Sequence, residues 1–195
     1  MRLSFALIFL LVTGMTQLPS RSADTYKIDT AHSSVNFVVP HLMVSKVNGN
    51  FQNFDGTIVF DVENISKSST SVFIKANSIN TSNADRDQHL KGSDFFDVAK
   101  YPEISFKSSK IQKIDDGYVM LGQLTMHGVT KNVSIPFKIL GTAKNPFGKT
   151  VLIAEGSTKI KRSDYGIKWN KDLDNGGVVV GEDVTISLDI EAIKE

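Results

Sequence analysis

Apolar and polar residues alternate strictly over several stretches of this chain. Between 184 and 192, Val184, Ile186, Leu188, Ile190 and Ala192 are apolar, and Thr185, Ser187, Asp189 and Glu191 between them are polar. Val133, Ile135, Phe137 and Ile139 alternate in the same way with Asn132, Ser134, Pro136 and Lys138. The runs Val35-x-Phe37-x-Val39, Ile58-x-Phe60-x-Val62 and Val72-x-Ile74-x-Ala76 repeat the pattern. A period of two buries one face of each strand and leaves the other in water, which suits antiparallel sheet. The pattern predicts strands over 33–39, 47–53, 56–62, 71–79, 103–108, 118–126, 131–141, 150–161 and 183–193. Some of these are short enough to merge, leaving about eight. Turn signals fall at Asn48-Gly49, Asp55-Gly56, Asp116-Gly117, His127-Gly128, Pro146-Phe147-Gly148 and Asn175-Gly176-Gly177. Short strands with tight turns make an all-β barrel or sandwich.

One stretch, 81–108, breaks the pattern. Thr81 or Asn83 can cap a helix, and Asp85 and Asp87 then fall in its first turn, where the helix dipole favours negative charge. Lys91-Gly92 closes it, and Ser93 can cap a shorter turn over Asp94, Phe95 and Phe96. Tyr101-Pro102 ends any helix before a strand resumes at Ile104. Arg86 and His89 share one helix face at a spacing of three. A helical insert in a strand-rich chain either plugs one end of the sheet core or acts as a lid over something inside.

The N-terminus reads as a leader. Arg2 precedes the apolar run Phe5 to Val12, and Ser20-Arg21-Ser22 offers small residues for cleavage near Ser22/Ala23. The expected domains are therefore a cleaved signal peptide, 1–22, and a single barrel domain, 23–195. The apolar run is shorter than the roughly 20 residues that span a bilayer, so the protein is not expected to be membrane-integral. The 195 residues are 41% apolar and 22% charged, an ordinary globular composition. Near-neutral charge without basic runs gives no reason to expect nucleic acid. The absence of cysteine excludes disulfides, thiolate metal sites and thioether-attached haem.

Candidate chemistry is sparse. The four histidines, His32, His41, His89 and His127, lack metal-ligand spacing. Ser33 beside His32 has no flanking glycine and is no nucleophile elbow. No phosphate loop, His-Glu-x-x-His or dinucleotide fingerprint occurs. An enzyme would need a site assembled by the fold, for which Asp29, His32 and His89, with or without a metal, are the candidates. The twelve phenylalanines include Phe37, Phe60, Phe106 and Phe137 on apolar phases of strands. They form either a solid core or the wall of a greasy tunnel.

Read in order, several phrases resemble the YceI-like family of exported bacterial proteins. They are Tyr26-Lys27-Ile28-Asp29-Thr30-Ala31-His32-Ser33, Phe37-Val38-Val39-Pro40-His41-Leu42 and Val47-x-Gly49-x-Phe51-x-x-Phe54-x-Gly56. Ser78-Ile79-x-Thr81 leads into Arg86-Asp87-x-His89-Leu90-Lys91 and Asp94-Phe95-Phe96-Asp97. Gly122-x-Leu124-Thr125-x-x-Gly128-Val129-Thr130-Lys131 and Arg162-x-Asp164-Tyr165-Gly166 complete the set, with Tyr165 where the family often has phenylalanine. The resemblance implies an extended antiparallel eight-stranded lipocalin-like barrel, with the short helical insert capping one end. It implies a periplasmic or secreted, often homodimeric, non-catalytic protein holding a polyisoprenoid or fatty-acyl-like lipid, with no other cofactor and at most transient membrane contact. The tunnel residues would be Phe37, Phe60, Ile74, Phe106, Leu124, Met126, Tyr165 and Ile186. Phe95 and Phe96 would close over the chain, and Arg86 and His89 would meet the head group. A role as a quinone or isoprenoid accessory to membrane redox proteins is the other course the resemblance leaves open.

Overall fold

The computed structural model describes residues 23–174 and 176–195; the leader-like stretch 1–22 lies outside them. Eleven strands form one antiparallel sheet: β1 (Asp24–Ile28), β2 (Ser34–His41), β3 (Ser45–Phe51), β4 (Phe54–Phe60), β5 (Ser69–Lys75), β6 (Ile79–Asn80), β7 (Glu103–Ile114), β8 (Gly117–Met126), β9 (Val129–Lys144), β10 (Thr150–Lys161) and β11 (Asp183–Lys194). The neighbour order is β1-β4-β5-β7-β8-β9-β10-β11-β2-β3-β6, with β1 also pairing β11.

That order conceals a simpler object. β1 and β2 both lie along β11, β3 and β4 lie along β2 and β1, and β5 and β6 lie along β4 and β3. Each of these pairs is one course of chain broken in the middle. Counted as courses, the protein is an up-and-down barrel of eight, closed where β11 meets the first course. The expected eight-stranded barrel is what the structure shows. Closure leaves few open edges for unwanted strand pairing.

The breaks have identifiable hydrogen bonds. Ile28 faces Ala192 and Ser34 faces Asp189, so residues 29–33 bulge opposite only two residues of β11. Ser33 fills the gap in the ladder: its hydroxyl donates to the Glu191 carbonyl (3.0 Å) and accepts from the Glu191 N–H (2.9 Å). At the next break, Gln52 N–H donates to the Ser78 carbonyl, and Asn53 N–H donates to the Ser78 hydroxyl. Backbone groups freed by the bulges are thus satisfied by serine side chains and turn contacts.

Two turn signals prove to be packing signals. Asn48-Gly49 and Asp55-Gly56 lie inside β3 and β4, not between strands. A Cβ on Gly49 would stand 2.3 Å from the Phe37 ring, and one on Gly56 would stand 2.7 Å from Ile28 Cδ1. These glycines make room for inward side chains of the neighbouring course. The hairpin between β2 and β3 is instead made by Leu42, Met43 and Val44, with φ of 52° at Leu42 and 64° at Met43.

The helical insert forms as α1 (Ala84–Lys91). The Asn83 side chain accepts from the Arg86 N–H at 2.9 Å, and Asp85 and Asp87 occupy the first turn. Gly92 ends the helix, as the sequence predicts, with an ordinary φ of −74° rather than a left-handed one; Asp97 takes a positive φ (44°) farther on. The stretch over Asp94, Phe95 and Phe96 forms turns, as expected. α1 and the connection 162–182 cover one end of the barrel. The opposite end is closed by 61–68, where Asp61 accepts from the N–H groups of Glu63 and Asn64, and Ser68 accepts from the Asp61 N–H.

Candidate functional site

The inward faces of the eight courses do not fill the barrel. On β10 the inward column runs Leu152, Ala154, Gly156, Thr158 and Ile160, so its middle is small where its ends are large. Two cavities result. The first, about 180 Å3, runs from mid-barrel toward the 61–68 end and is lined by Phe54, Phe60, Ile74, Phe106, Leu124 and Phe137 among others. The second, about 280 Å3, lies under α1 and the 162–182 connection. Phe37, Phe51, Met126, Ile160 and Ile186 touch both, and so form a shared waist. The polar Thr158 hydroxyl in the first wall donates to the Ser134 carbonyl at 2.8 Å, leaving the interior little to offer water.

The sequence expectations distribute clearly over this space. Phe60, Ile74, Phe106 and Leu124 line the first chamber, and Phe37, Met126 and Ile186 stand at the waist. Phe95, Phe96, Arg86 and His89 line the second. Tyr165 is the correction. It lines neither chamber, because the 3-10 turn Arg162–Tyr165 tucks it into the solid core at 1% exposure. Its carbonyl accepts from His127 Nδ1 at 3.0 Å, whereas its buried hydroxyl has no partner among the described residues. Burial pushes its pKa up to about 12.

The two arginines of the second chamber differ in what they can offer. Arg162 is 4% exposed. Its Nε donates to the Gly181 carbonyl, Nη1 to the carbonyls of Ile167 and Trp169, and Nη2 to the Val180 carbonyl and the Glu182 carboxylate. All five of its donors are used. Desolvation lowers its pKa, opposed by the charge of Glu182. Arg162 knits the connection 162–182 together and presents no free N–H to a ligand.

Arg86 is otherwise placed. Nε donates to the Thr81 hydroxyl (2.7 Å) and Nη2 to the Thr81 carbonyl (2.9 Å). Asp87 in turn accepts from the Thr81 N–H and hydroxyl, at 2.8 and 2.5 Å. The Nε side of the guanidinium is thus anchored, and among the described residues the Nη1 end has no partner. That end suits a carboxylate or phosphate. His89 stands next to it, bonded through Nε2 to Asp94 at 3.2 Å and flanked by the rings of Phe95 and Trp169.

The fold does not assemble Asp29, His32 and His89. Asp29 and His32 pair at 2.9 Å in the 29–33 bulge, with Glu191 nearby, and His32 is largely exposed. His89 belongs to the second chamber. Trp169, Phe51, His41 and Arg162 are cavity residues that sequence reasoning did not select. Phe51 shares the apolar phase of Val47, and Arg162 opens the phrase Arg162-x-Asp164-Tyr165-Gly166, so both left a signal. Trp169 left none, since it sits in an irregular connection.

Comparison with known proteins gives consistent results. The YceI-like domain matches residues 26–192. Protein YceI of Salmonella newport (strain SL254) is 40% identical over 167 residues, covering 85% of each chain. The crystal structure of the Campylobacter jejuni YCEI protein superposes with a TM-score of 0.67 at 34% identity, covering 80% of this chain and 90% of that one. A polyisoprenoid binding domain from Saccharophagus degradans shares the fold alone: TM-score 0.62, 16% identity, 87% and 98% coverage.

Proposed function

The chain belongs to the YceI-like family, and from that premise we propose that it is a non-catalytic carrier that holds one long apolar chain with an anionic head. The observation that carries this reading is the pair of adjoining apolar chambers that share a wall, with a half-tethered guanidinium at one end. A polyisoprenoid or fatty-acyl tail leaving water for such a wall contributes about 0.8 kcal/mol per buried CH2 before ordering costs. The tail would run through the waist into the first chamber. Its carboxylate or phosphate would sit against the free Nη1 end of Arg86, with His89 beside it. The polyisoprenoid binding domain of Saccharophagus degradans offers a precedent for such cargo within the fold. We also read residues 1–22 as an export signal, so that the carrier works outside the cytoplasm; N-terminal sequencing of the secreted or periplasmic form tests this.

The test of the main reading is native mass spectrometry followed by denaturing lipid extraction of the same sample. The expected result is a bound species that leaves on denaturation and carries a long apolar chain. Bare protein that also refuses added fatty acids and isoprenyl phosphates would overturn the proposal.

A further inference from the structure

The side chains at the tip of the β2–β3 hairpin line neither cavity. Leu42, Met43 and Val44 are 41%, 64% and 93% exposed, three consecutive large apolar side chains in water. Leu42 and Met43 both have left-handed backbone. That conformation disfavours any residue with a Cβ, and hairpins usually give it to glycine or asparagine. The tip is held nonetheless: Leu42 N–H donates to the Val179 carbonyl at 2.9 Å, and the Ser45 hydroxyl donates to the His41 carbonyl at 2.8 Å. Strain retained in an ordered, exposed apolar turn points to a use for those side chains.

Its position says what the use is. Val39, Pro40 and His41 lead directly into the tip and line the second chamber, as do Val179 and Val180 across from it. The tip therefore stands at the rim of the chamber whose other side is α1. The hairpin carries no carboxylate: from Thr30 to Phe54 there is no Asp or Glu, and the one charged residue is Lys46, exposed on β3 beside the tip. Across from it, the segment that holds the tip brings exposed Asp172 and Asp174 beside Lys171, so the basic charge lies on the hairpin side. A protruding apolar point with Lys46 at its base matches an anionic phospholipid bilayer, which accepts an apolar wedge without shape complementarity.

We propose that Leu42, Met43 and Val44 insert into the interfacial region of an anionic membrane and set the mouth of the second chamber against the bilayer, so that cargo passes between lipid and barrel without crossing water. The direction of passage rests on the carrier reading above; the docking does not. Lys46 adds attraction to the head groups, and the rim between the tip and α1 becomes the doorway.

The test is flotation of the purified protein with vesicles of phosphatidylcholine alone and of phosphatidylcholine with phosphatidylglycerol, beside the double variant Met43→Ser, Val44→Ser. Both substituted side chains are exposed, and an unchanged circular dichroism spectrum verifies the variant's fold. The protein is expected to float with the anionic vesicles, the double variant about tenfold more weakly, and Lys46→Gln with a smaller dependence on salt. In parallel, a fluorescent fatty acid added from solvent measures cavity loading without vesicles. Loading retained by the double variant, with slower transfer to vesicles, supports the doorway. Uptake of the fatty acid by a protein that floats with neither vesicle overturns the docking and leaves the carrier reading standing. Flotation without uptake supports the docking while removing the carrier reading. Loss of a dimer rather than of flotation in the double variant, read by sedimentation velocity, would reassign the tip to self-association and overturn the proposal.

Discussion

The imidazole of His89 and the indole of Trp169 meet edge to face, with ring centroids 5.1 Å apart. His89 belongs to α1 and Trp169 to the 162–182 connection, so this contact joins the two covers of the barrel end. Phe95 completes the cluster at 5.0 Å from His89 and 5.2 Å from Trp169.

Trp169 is the sole tryptophan of the chain and lines the second chamber. Its emission therefore reports on that chamber alone. Loading with a fatty acid should shift the spectrum to the blue and protect the indole from acrylamide. His89→Ala should raise quenching in the unloaded protein by opening the joint. An emission spectrum indifferent to saturating ligand would place the cargo elsewhere.

Gly49 and Phe37 are cross-strand partners, and a Cβ at 49 would stand 2.3 Å from Phe37 Cζ. Gly49→Ala must therefore push the Phe37 ring toward the waist it shares with Phe51. Overpacking of this kind costs about 1–3 kcal/mol. The variant should bind short acyl chains that fit one chamber and exclude those that span both, which a chain-length series of displacement titrations measures.

Arg86→Ala should weaken binding of anionic-headed ligands by roughly ten- to a hundredfold, since a hydrogen bond to a charged group contributes roughly 1.5–3 kcal/mol. Alcohols of the same chain length should be little affected. Thr81→Val is the companion variant, because it removes the hydroxyl to which Arg86 is tethered and leaves the charge in place. Equal losses for acid and alcohol would remove Arg86 from the head-group role.

Tyr165 buries a hydroxyl that has no partner among the described residues. Tyr165→Phe removes that group and keeps the ring, so it should stabilise the protein by about 1 kcal/mol. Thermal and urea denaturation check this, and ligand affinity should not change, since the ring lines neither chamber.

Asp29 and His32 give the 29–33 bulge a pH dependence of known sign. The hydrogen bond to Asp29 raises the His32 pKa above 6.5, and the same bond lowers the Asp29 pKa below 3.8. The raised histidine contributes stability that is fully present below 6.5 and lost as pH rises through its folded value. The lowered carboxylate contributes stability that is present above 3.8 and lost as pH falls through its own folded value. The pair therefore acts between these limits. His32→Ala should reduce stability in urea at pH 5.5 and have no such effect at pH 8.5. A difference that persists at pH 8.5 would assign the loss to packing instead.

How legible was this in the sequence? The alternation of Val184 to Ala192 and of Val133 to Ile139 placed β11 and β9 within a few residues, because one face of each is buried and the other is wet. The capping residues at Thr81 and Asn83 and the close at Lys91-Gly92 bracketed α1, with Asn83 the cap the structure uses. Glycine misled at 49 and 56, since sequence cannot distinguish a glycine that turns the chain from one that admits a neighbour's ring. The true tip at Leu42-Met43-Val44 carries no turn residue and so gives no turn signal. β1 is only five residues long, too short to show a period on its own. The cavity was not legible in composition, because Phe106 or Ile186 against a void reads like either one in a solid core. Its clearest trace is the small inward run Ala154, Gly156 and Thr158, which has meaning only once the facing strands are known.

Every course of the barrel except one pair lies beside its neighbour in the chain; the exception is the seam where β11 meets β1 and β2. Seven of the eight junctions join courses that follow one another in the chain, five through short loops and two through the longer stretches 81–102 and 162–182, whereas the seam requires the two extremes of the domain to find each other. Assembly thus has a built-in order. The sheet can grow from its beginning as an open curl, and it becomes a vessel only when its last strand arrives. Until then the interior faces water with both chambers exposed. Any occupant of the interior would have to enter as the wall closes or afterwards through the rim.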